Sequence, residues 1–153
     1  MWAHYGAKHY GVCLGFDVPD GLVECVSYQP KRLKFDIDLE APNAGLNPKT
    51  VKAMLLTKFE AWRYEKEHRV LAELKDRDEK DGFYYVEFGQ QMTLREMVIG
   101  VRCEVSQREV ATCVGDLDSR VEIRKARLAF NDYRLVEQRN LPVLIAGNGQ
   151  ASE

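Results

Sequence analysis

The stretch MVIGVRCEVSQREVATCVGDL, residues 97–117, contains the clearest fold signals in this sequence. It opens with MVIGV, an apolar run typical of a buried strand. Ser106 and Glu109 then have the spacing of a capping box, and Val105 with Val110 has the spacing of a hydrophobic staple. The stretch therefore predicts a short helix after the strand, with a buried stripe at Val110, Cys113, Val114 and Leu117.

Strand signals surround this strand and helix. Residues 121–130 and 133–138 flank Asn131-Asp132, a dipeptide suited to a two-residue hairpin turn. Upstream, FYYVEF at residues 83–88 is rich in strand-forming side chains. At the other end, residues 141–153 include GNGQASE and predict a flexible tail.

The N-terminal third predicts two strands joined by a turn. YGVCLGF, residues 10–16, alternates large apolar side chains with small ones, so its small face suits close approach by another backbone. LVECVSY, residues 22–28, is apolar enough on both faces to be buried. The turn residues 19–21 between them favour pairing of these two strands, and FDIDL at residues 35–39 predicts a short edge strand.

A helix is expected to begin at Asn47. Asparagine is a good N-cap, proline suits the first helical position, and Leu46 can pack on Val51. Helical spacing then continues through the apolar set Val51, Met54, Leu55, Phe59 and Trp62, which predicts a helix to about residue 60. Together these signals predict one α+β domain over residues 1–140, with a mixed, mostly antiparallel sheet of about six strands and two main helices.

Composition excludes several classes of protein. The 153 residues carry a net charge of -2, so there is no general footprint for nucleic acid. No apolar segment approaches the ~20 residues that a membrane-spanning helix needs, and no secretory hydrophobic region follows Met1. The four cysteines show no close pairing and lie in apolar runs, which predicts reduced thiols and a cytoplasmic location. The usual phosphate-binding and hydrolase motifs are absent.

The most chemically suggestive segment is WRYEKEHR, residues 62–69, in which Glu65 and Glu67 stand two positions apart. As a helix, it would pair Glu65 with Arg69 and offer little chemistry. As a strand, it would place both carboxylates on one face about 7 Å apart. The continuing alternation through VLAEL favours a strand from about Glu65 onward.

Two interpretations of this carboxylate pair remain open. The pair could position a cationic or hydroxyl-bearing substrate, with one carboxyl pKa raised by the neighbouring charge. Alternatively, Arg63 and Arg69 neutralise both carboxylates on a solvated face, which is the commoner outcome for such residues. The histidines show no convergent spacing for a metal, so His4 and His9 are expected to stack or to form hydrogen bonds.

Several separated blocks resemble a bacterial family known as domain-of-unknown-function family 2971. WAHY at residues 2–5, HYGVCLGF at residues 9–16 and WRYEKEHR match its W-x-H-Y, H-x-G-V-C-L-x-F and W-x-Y-E-x-E-x-R blocks in order. VSY at residues 26–28 and VIG at residues 98–100 extend the resemblance to about Gly100. Typical members have a further tyrosine-rich segment before the first block, which the resemblance implies is lacking here.

The family pattern is in turn similar to ADP-ribosyltransferase-like folds, an analogy that implies NAD as a ligand. Under that analogy Glu67 would bind the nicotinamide ribose and stabilise the oxocarbenium-like transition state, and Glu65 would orient the acceptor nucleophile. Substrate-binding roles would fall to His4, Tyr5, His9, Tyr64 and Arg69.

Two functions follow as expectations. One is a nucleotide-using domain of a bacterial defence or stress system, acting by NAD-dependent ADP-ribosyl transfer or NAD cleavage. The other is a non-catalytic structural or protein-interaction domain.

Overall fold

The computed structural model describes residues 2–35, 47–74, 77–89, 91–115 and 117–148. The chain divides into two compact units. Unit 1 comprises Met1–Pro19 and Val86–Glu153, and unit 2 comprises Asp20–Tyr85.

Unit 1 is built on a five-stranded mixed sheet. Its strands are β1 (Val12–Asp17), β6 (Thr93–Ile99), β7 (Val121–Leu128), β8 (Leu135–Glu137) and β9 (Leu144–Ala146). β6 lies antiparallel to β1 and parallel to β7, and β7 pairs antiparallel with both β8 and β9. The parallel pair requires a crossover, which helix α2 (Gln107–Val114) provides. The predicted α+β class and mixed, mostly antiparallel sheet are confirmed.

The core of unit 1 lies between this sheet and α2. Ile99, Val121 and Ile123 are fully buried, and α2 buries Val110 and Val114 against them. Burial of each such side chain contributes roughly 1.5–3 kcal/mol. Residues 97–117 therefore supply most of this core.

The predicted capping box is confirmed at the start of α2. The Ser106 side chain accepts a hydrogen bond from the Glu109 N–H, and the Glu109 carboxylate accepts from the Ser106 N–H at 2.8 Å. These bonds to Ser106 hold the pKa of the Glu109 carboxyl below its ordinary value. The N-cap of α2 is therefore Ser106, the residue that the sequence predicted.

Two C-terminal details differ from the prediction. The hairpin between β7 and β8 forms, but its loop spans residues 129–134 and closes through a bond from the Ala129 N–H to the Arg134 carbonyl at 3.0 Å. The predicted two-residue turn at Asn131-Asp132 is therefore too short. Within the predicted tail, β9 pairs with β7, because Leu144 and Ala146 pack against the core.

The described residues of unit 2 form helix α1 (Pro48–Leu55) and four short strands. These are β2 (Val23–Cys25), β3 (Ser27–Gln29), β4 (Thr57–Phe59) and β5 (His68–Val70). β2 pairs antiparallel with β5, and β3 pairs parallel with β4. Only Val26 and Leu56 are buried hydrophobic residues among those described in this unit.

The predicted pairing of the first two strands is wrong. β1 pairs with β6, whereas the second predicted strand is interrupted at buried Val26 and contributes β2 and β3 to two separate pairs. The Pro19–Gly21 region explains the difference, since Asp20–Leu22 forms a 3-10 turn instead of a tight hairpin. The predicted edge strand at residues 35–39 lies, beyond Phe35, outside the described residues.

α1 begins as predicted, with the Asn47 side chain accepting from the Thr50 N–H at 2.9 Å. It ends at Leu55, however, and not near residue 60. The Thr57 hydroxyl donates to the Ala53 carbonyl at 2.7 Å, and the chain then extends into β4 because β3 offers a pairing partner. The predicted strand at residues 83–88 is also wrong, since among the described residues Tyr84 makes only an isolated bridge to Arg77.

No helix within the described ranges has both the length and the apolar character needed to span a bilayer. All four cysteines are free. Only Cys103 is buried, whereas Cys13, Cys25 and Cys113 are exposed. Cys113 is therefore an exception to the buried stripe predicted for α2.

Candidate functional site

The two glutamates of WRYEKEHR lie in unit 2 on an irregular segment. Glu65 is the last residue of a 3-10 helix, Glu60–Glu65, and Glu67 directly precedes β5. Lys66 between them is left-handed, with φ 47° and ψ 47°. The predicted strand from Glu65 through VLAEL is therefore correct only at His68–Val70, and the carboxylates do not share the face of a regular strand.

Lys58 nevertheless brings both carboxylates together. Its Nζ lies 2.5 Å from Glu65 Oε2 and 2.9 Å from Glu67 Oε2. Because β3 and β4 run side by side, Lys58 is held opposite Tyr28 in the sheet register. Its ammonium also lies 5.1 Å from the centre of the Trp62 ring, a cation–π distance.

Arg69 completes the charge network on β5. Its Nε donates to Glu67 Oε1 at 2.7 Å, and its Nη1 donates to the Leu55 carbonyl. The hydrogen bonds from Arg69, and then from Lys58, hold the pKa of Glu67 below its ordinary value. Glu67 is therefore ionised at neutral pH.

The two carboxylates differ in their exposure to solvent. The Glu65 side chain is only 3% exposed, whereas that of Glu67 is 27% exposed. The Glu67 backbone is also fixed, because its N–H donates to the Tyr28 hydroxyl at 2.7 Å. Glu65 is thus a buried structural partner of Lys58, and only Glu67 presents part of its carboxylate to solvent.

The predicted neutralisation by arginines is correct for Arg69 and wrong for Arg63. Arg63 instead makes a bidentate pair with Glu60, at 2.5 and 2.7 Å, and lies over the Tyr28 ring at 5.5 Å. The 3-10 helix causes this exchange of partners, since it places residues 60 and 63 on the same side. Lys58 therefore neutralises the two carboxylates in the role that was predicted for Arg63.

The remaining predicted substrate residue of unit 2 is Tyr64. Its side chain is 61% exposed, and its ring lies 6.0 Å from the Trp62 ring. It is available to a ligand, but it makes no part of the Lys58–Glu67 network.

The predicted residues His4, Tyr5 and His9 belong to unit 1, in the turn before β1. His4 and Tyr5 are exposed and contact each other edge to face, with ring centres 6.4 Å apart. His9 is half-buried and stacks on Trp2 at 6.0 Å. The stacking expected as one possibility for the histidines is confirmed for His9, and His4 makes an edge contact instead. Their convergence with the glutamates stays a prediction.

Backbone conformation sets the direction of His9. Ala7, Lys8 and His9 are all left-handed, at φ 47°, 54° and 73°. The His9 and Gly11 carbonyls then accept bonds from the N–H groups of Arg102 and Gly100, both at 3.0 Å. A Cβ on Gly100 would lie 2.3 Å from the His9 carbonyl oxygen, so this contact requires glycine.

A cavity of about 280 Å³ in unit 2 was not identified from the sequence. It is lined by cationic and apolar residues that include Lys31, Arg32, Met54 and Phe59. The cluster KRLK at residues 31–34 was the available signal, but a local charge cluster of this kind is usually a solvated face. Among the described residues, no group of three or more His, Cys, Asp or Glu side chains is arranged to hold a metal ion.

Residues 1–70 match the model of a family described as "Protein of unknown function (DUF2971)". The match includes the three main blocks, WAHY, HYGVCLGF and WRYEKEHR, so it confirms the resemblance over these residues. VIG at residues 98–100 lies outside it. No curated protein and no solved structure matches the chain. The first 70 residues are therefore similar to this family.

Proposed function

We propose that this chain is a non-catalytic structural or protein-interaction domain in which WRYEKEHR is an ion-paired support. The position of Lys58 carries the proposal, because one ammonium bonds both carboxylates that would otherwise do the chemistry. Glu65 at 3% exposure is too buried to orient an acceptor molecule, and both Glu67 oxygens already accept from cations.

An interaction role is further supported by α1. Its apolar residues Val51, Met54 and Leu55 are exposed, and the helix has no buried residue. Exposed apolar side chains grouped on one element are typical of surfaces that bind other proteins. The free thiols fit the cytoplasm as the compartment of such a domain.

A second candidate function is favoured by the state of Glu67. This carboxylate is ionised and partly exposed, and the same unit contains the cavity lined by Lys31, Arg32 and Phe59. Cations beside an aromatic ring suit an anionic ligand with a planar group, such as a nucleotide. This function is a nucleotide-using domain of a bacterial defence or stress system, with NAD as the nucleotide.

The chemistry of that candidate would be NAD cleavage or ADP-ribosyl transfer. The bond between nicotinamide and ribose breaks, and its electron pair leaves with nicotinamide. Positive charge develops at the ribose carbon before water or an acceptor attacks, and the Glu67 carboxylate would stabilise that charge.

Calorimetry with NAD separates the two functions when Glu67→Gln is compared with Glu60→Gln. Glu60 is the matched control because it makes an exposed ion pair in the same segment. The non-catalytic domain predicts no saturable heat and a lower melting temperature for Glu67→Gln than for the control. Saturable NAD binding that Glu67→Gln weakens, with melting near that of the control, would overturn it in favour of the enzyme.

A further inference from the structure

Cys25 and His68 face each other in unit 2, at the ends of two paired strands. Cys25 closes β2 and His68 opens β5, and the antiparallel register sets them directly opposite. Directly opposed residues project from the same face of a sheet, so the Cys25 and His68 side chains leave the backbone side by side.

The hydrogen-bond ladder shows which kind of pair they form. The Val26 N–H donates to the Glu67 carbonyl at 3.1 Å, so the adjacent pair, Cys25 and His68, is a non-hydrogen-bonded one. Pairs of that kind have the closer spacing, about 4.5 Å between Cα atoms, and their side chains approach most closely.

A backbone carbonyl orients the imidazole. His68 Nδ1 lies 3.0 Å from the Lys66 carbonyl oxygen. Because a carbonyl can only accept, Nδ1 carries the hydrogen, and the lone pair is on Nε2. The left-handed conformation of Lys66 helps to direct this carbonyl, and it ends the 3-10 helix as well.

We propose that Cys25 is a reactive thiol and that His68 is its general base, with low-molecular-weight disulfides as the substrate class. The arrangement has the parts of an activated nucleophile: a thiol, a base on the directly opposed residue and a group that orients the base. Both side chains are exposed, so a small disulfide can reach them. This site is separate from the Lys58 network, since Glu24 and Arg69 alternate to the other face of the pair.

The reaction balances without a further oxidant. His68 Nε2 takes the proton of the Cys25 thiol, and the sulfur attacks one sulfur of the disulfide. A new S–S bond forms, the old one breaks, and the leaving thiolate takes the proton from the imidazolium. Cys25 is oxidised to a mixed disulfide while half of the small disulfide is reduced to a thiol.

The test is the rate of mixed-disulfide formation with oxidised glutathione at pH 7, followed at each cysteine by peptide mass mapping. Cys13 and Cys113 are internal controls, because both are exposed and neither faces a histidine in its strand pair or helix. Cys25 is expected to react at least about tenfold faster than either control, a modest share of what a positioned base contributes.

His68→Gln separates a base from simple exposure. The substitution should slow Cys25 by about tenfold and leave the rates of Cys13 and Cys113, which lie in unit 1, unchanged. Hydrogen exchange in β2 and β5 that matches the wild type would show that unit 2 keeps its fold in the variant. A third measurement needs no variant, since unfolding the chain in urea should bring the Cys25 rate down to that of the controls. Equal rates at the three cysteines of the folded chain, or an unchanged Cys25 rate in His68→Gln, would overturn the proposal.

Discussion

Lys58 provides one positive charge between two carboxylates, and Arg69 provides a second to Glu67. The energetic cost of this arrangement falls mainly on Glu65, which is almost fully buried. A buried carboxylate is tolerated only where cations and hydrogen bonds replace its water. The stability of the WRYEKEHR segment therefore depends on Lys58 more than on Glu65 or Glu67, the two residues that the sequence indicated.

Replacement of Lys58 by methionine should lower the free energy of unfolding by about 2–3 kcal/mol, because the buried Glu65 carboxylate loses a charged donor. Lys52→Met is the matched control, since Lys52 makes an exposed pair with Glu24 and should cost less than about 1 kcal/mol. Urea unfolding of both variants checks this. Equal losses would mean that the Lys58 pairs contribute no more than a surface ion pair.

The stabilisation by Glu67 should depend on pH. Its pKa in the folded chain is below the ordinary 4.5, so the folded state favours the ionised carboxylate. Its contribution is complete above about pH 4.5 and is lost as pH falls through the folded pKa. Melting temperatures of wild type and Glu67→Gln should therefore differ at pH 7 and converge as the pH falls from 4.5 through the folded pKa. A constant difference across that range would contradict the assignment.

The sequence identified the two glutamates of this site but not all of their ion-pair partners. Arg69 was identified because it lies two positions from Glu67. Lys58 was not, because it reaches Glu65 and Glu67 only after the chain reverses through a 3-10 helix and a left-handed lysine. No periodicity predicts a left-handed residue other than glycine or asparagine. The sequence pattern therefore could not show that Lys58 replaces Arg63 as the partner of the two glutamates.

At the scale of elements, the predictions were correct where they depended only on residues close together in the sequence. Both helix starts were correct, since a cap depends on residues within four positions of each other. Strand partners depend on distant residues, and there the prediction failed: β1 pairs with β6 across more than 70 intervening positions. The strand-forming segment at residues 83–88 likewise gained no ladder, because propensity without a partner does not make a strand.

Ser106→Ala tests how much the capping box contributes to α2. The substitution removes the acceptor for the Glu109 N–H and should cost about 1 kcal/mol of stability. Thr112→Ala is the control in the same helix, because its exposed hydroxyl bonds only the Arg108 carbonyl and its loss should change stability by less than about 0.5 kcal/mol. Chemical denaturation measures both. A loss in Thr112→Ala as large as that in Ser106→Ala would show that the cap is not the source of the effect.

At the scale of the whole chain, buried apolar side chains are distributed unevenly. Among the described residues of unit 1, Ile99, Val121 and Ile123 are fully buried, with α2 packed on them. Unit 2 is held by strand pairs of three residues each and by ion pairs around Lys58. Local opening is easiest where few apolar contacts support the backbone hydrogen bonds.

Hydrogen exchange should therefore be slowest in β6 and β7 of unit 1 and faster throughout unit 2. Ile123→Ala should reduce the protection of those slowest amides by about 2–5 kcal/mol, because it leaves a cavity beneath the sheet. Ile145→Ala is the control, since this residue of β9 pairs with the same strand but is 45% exposed, and its loss should have a much smaller effect. If the slowest amides of unit 2 matched those of unit 1, burial of apolar side chains would not determine local stability in this chain. The ion pairs around Lys58 would then have to stabilise unit 2 as much as the buried apolar side chains stabilise unit 1.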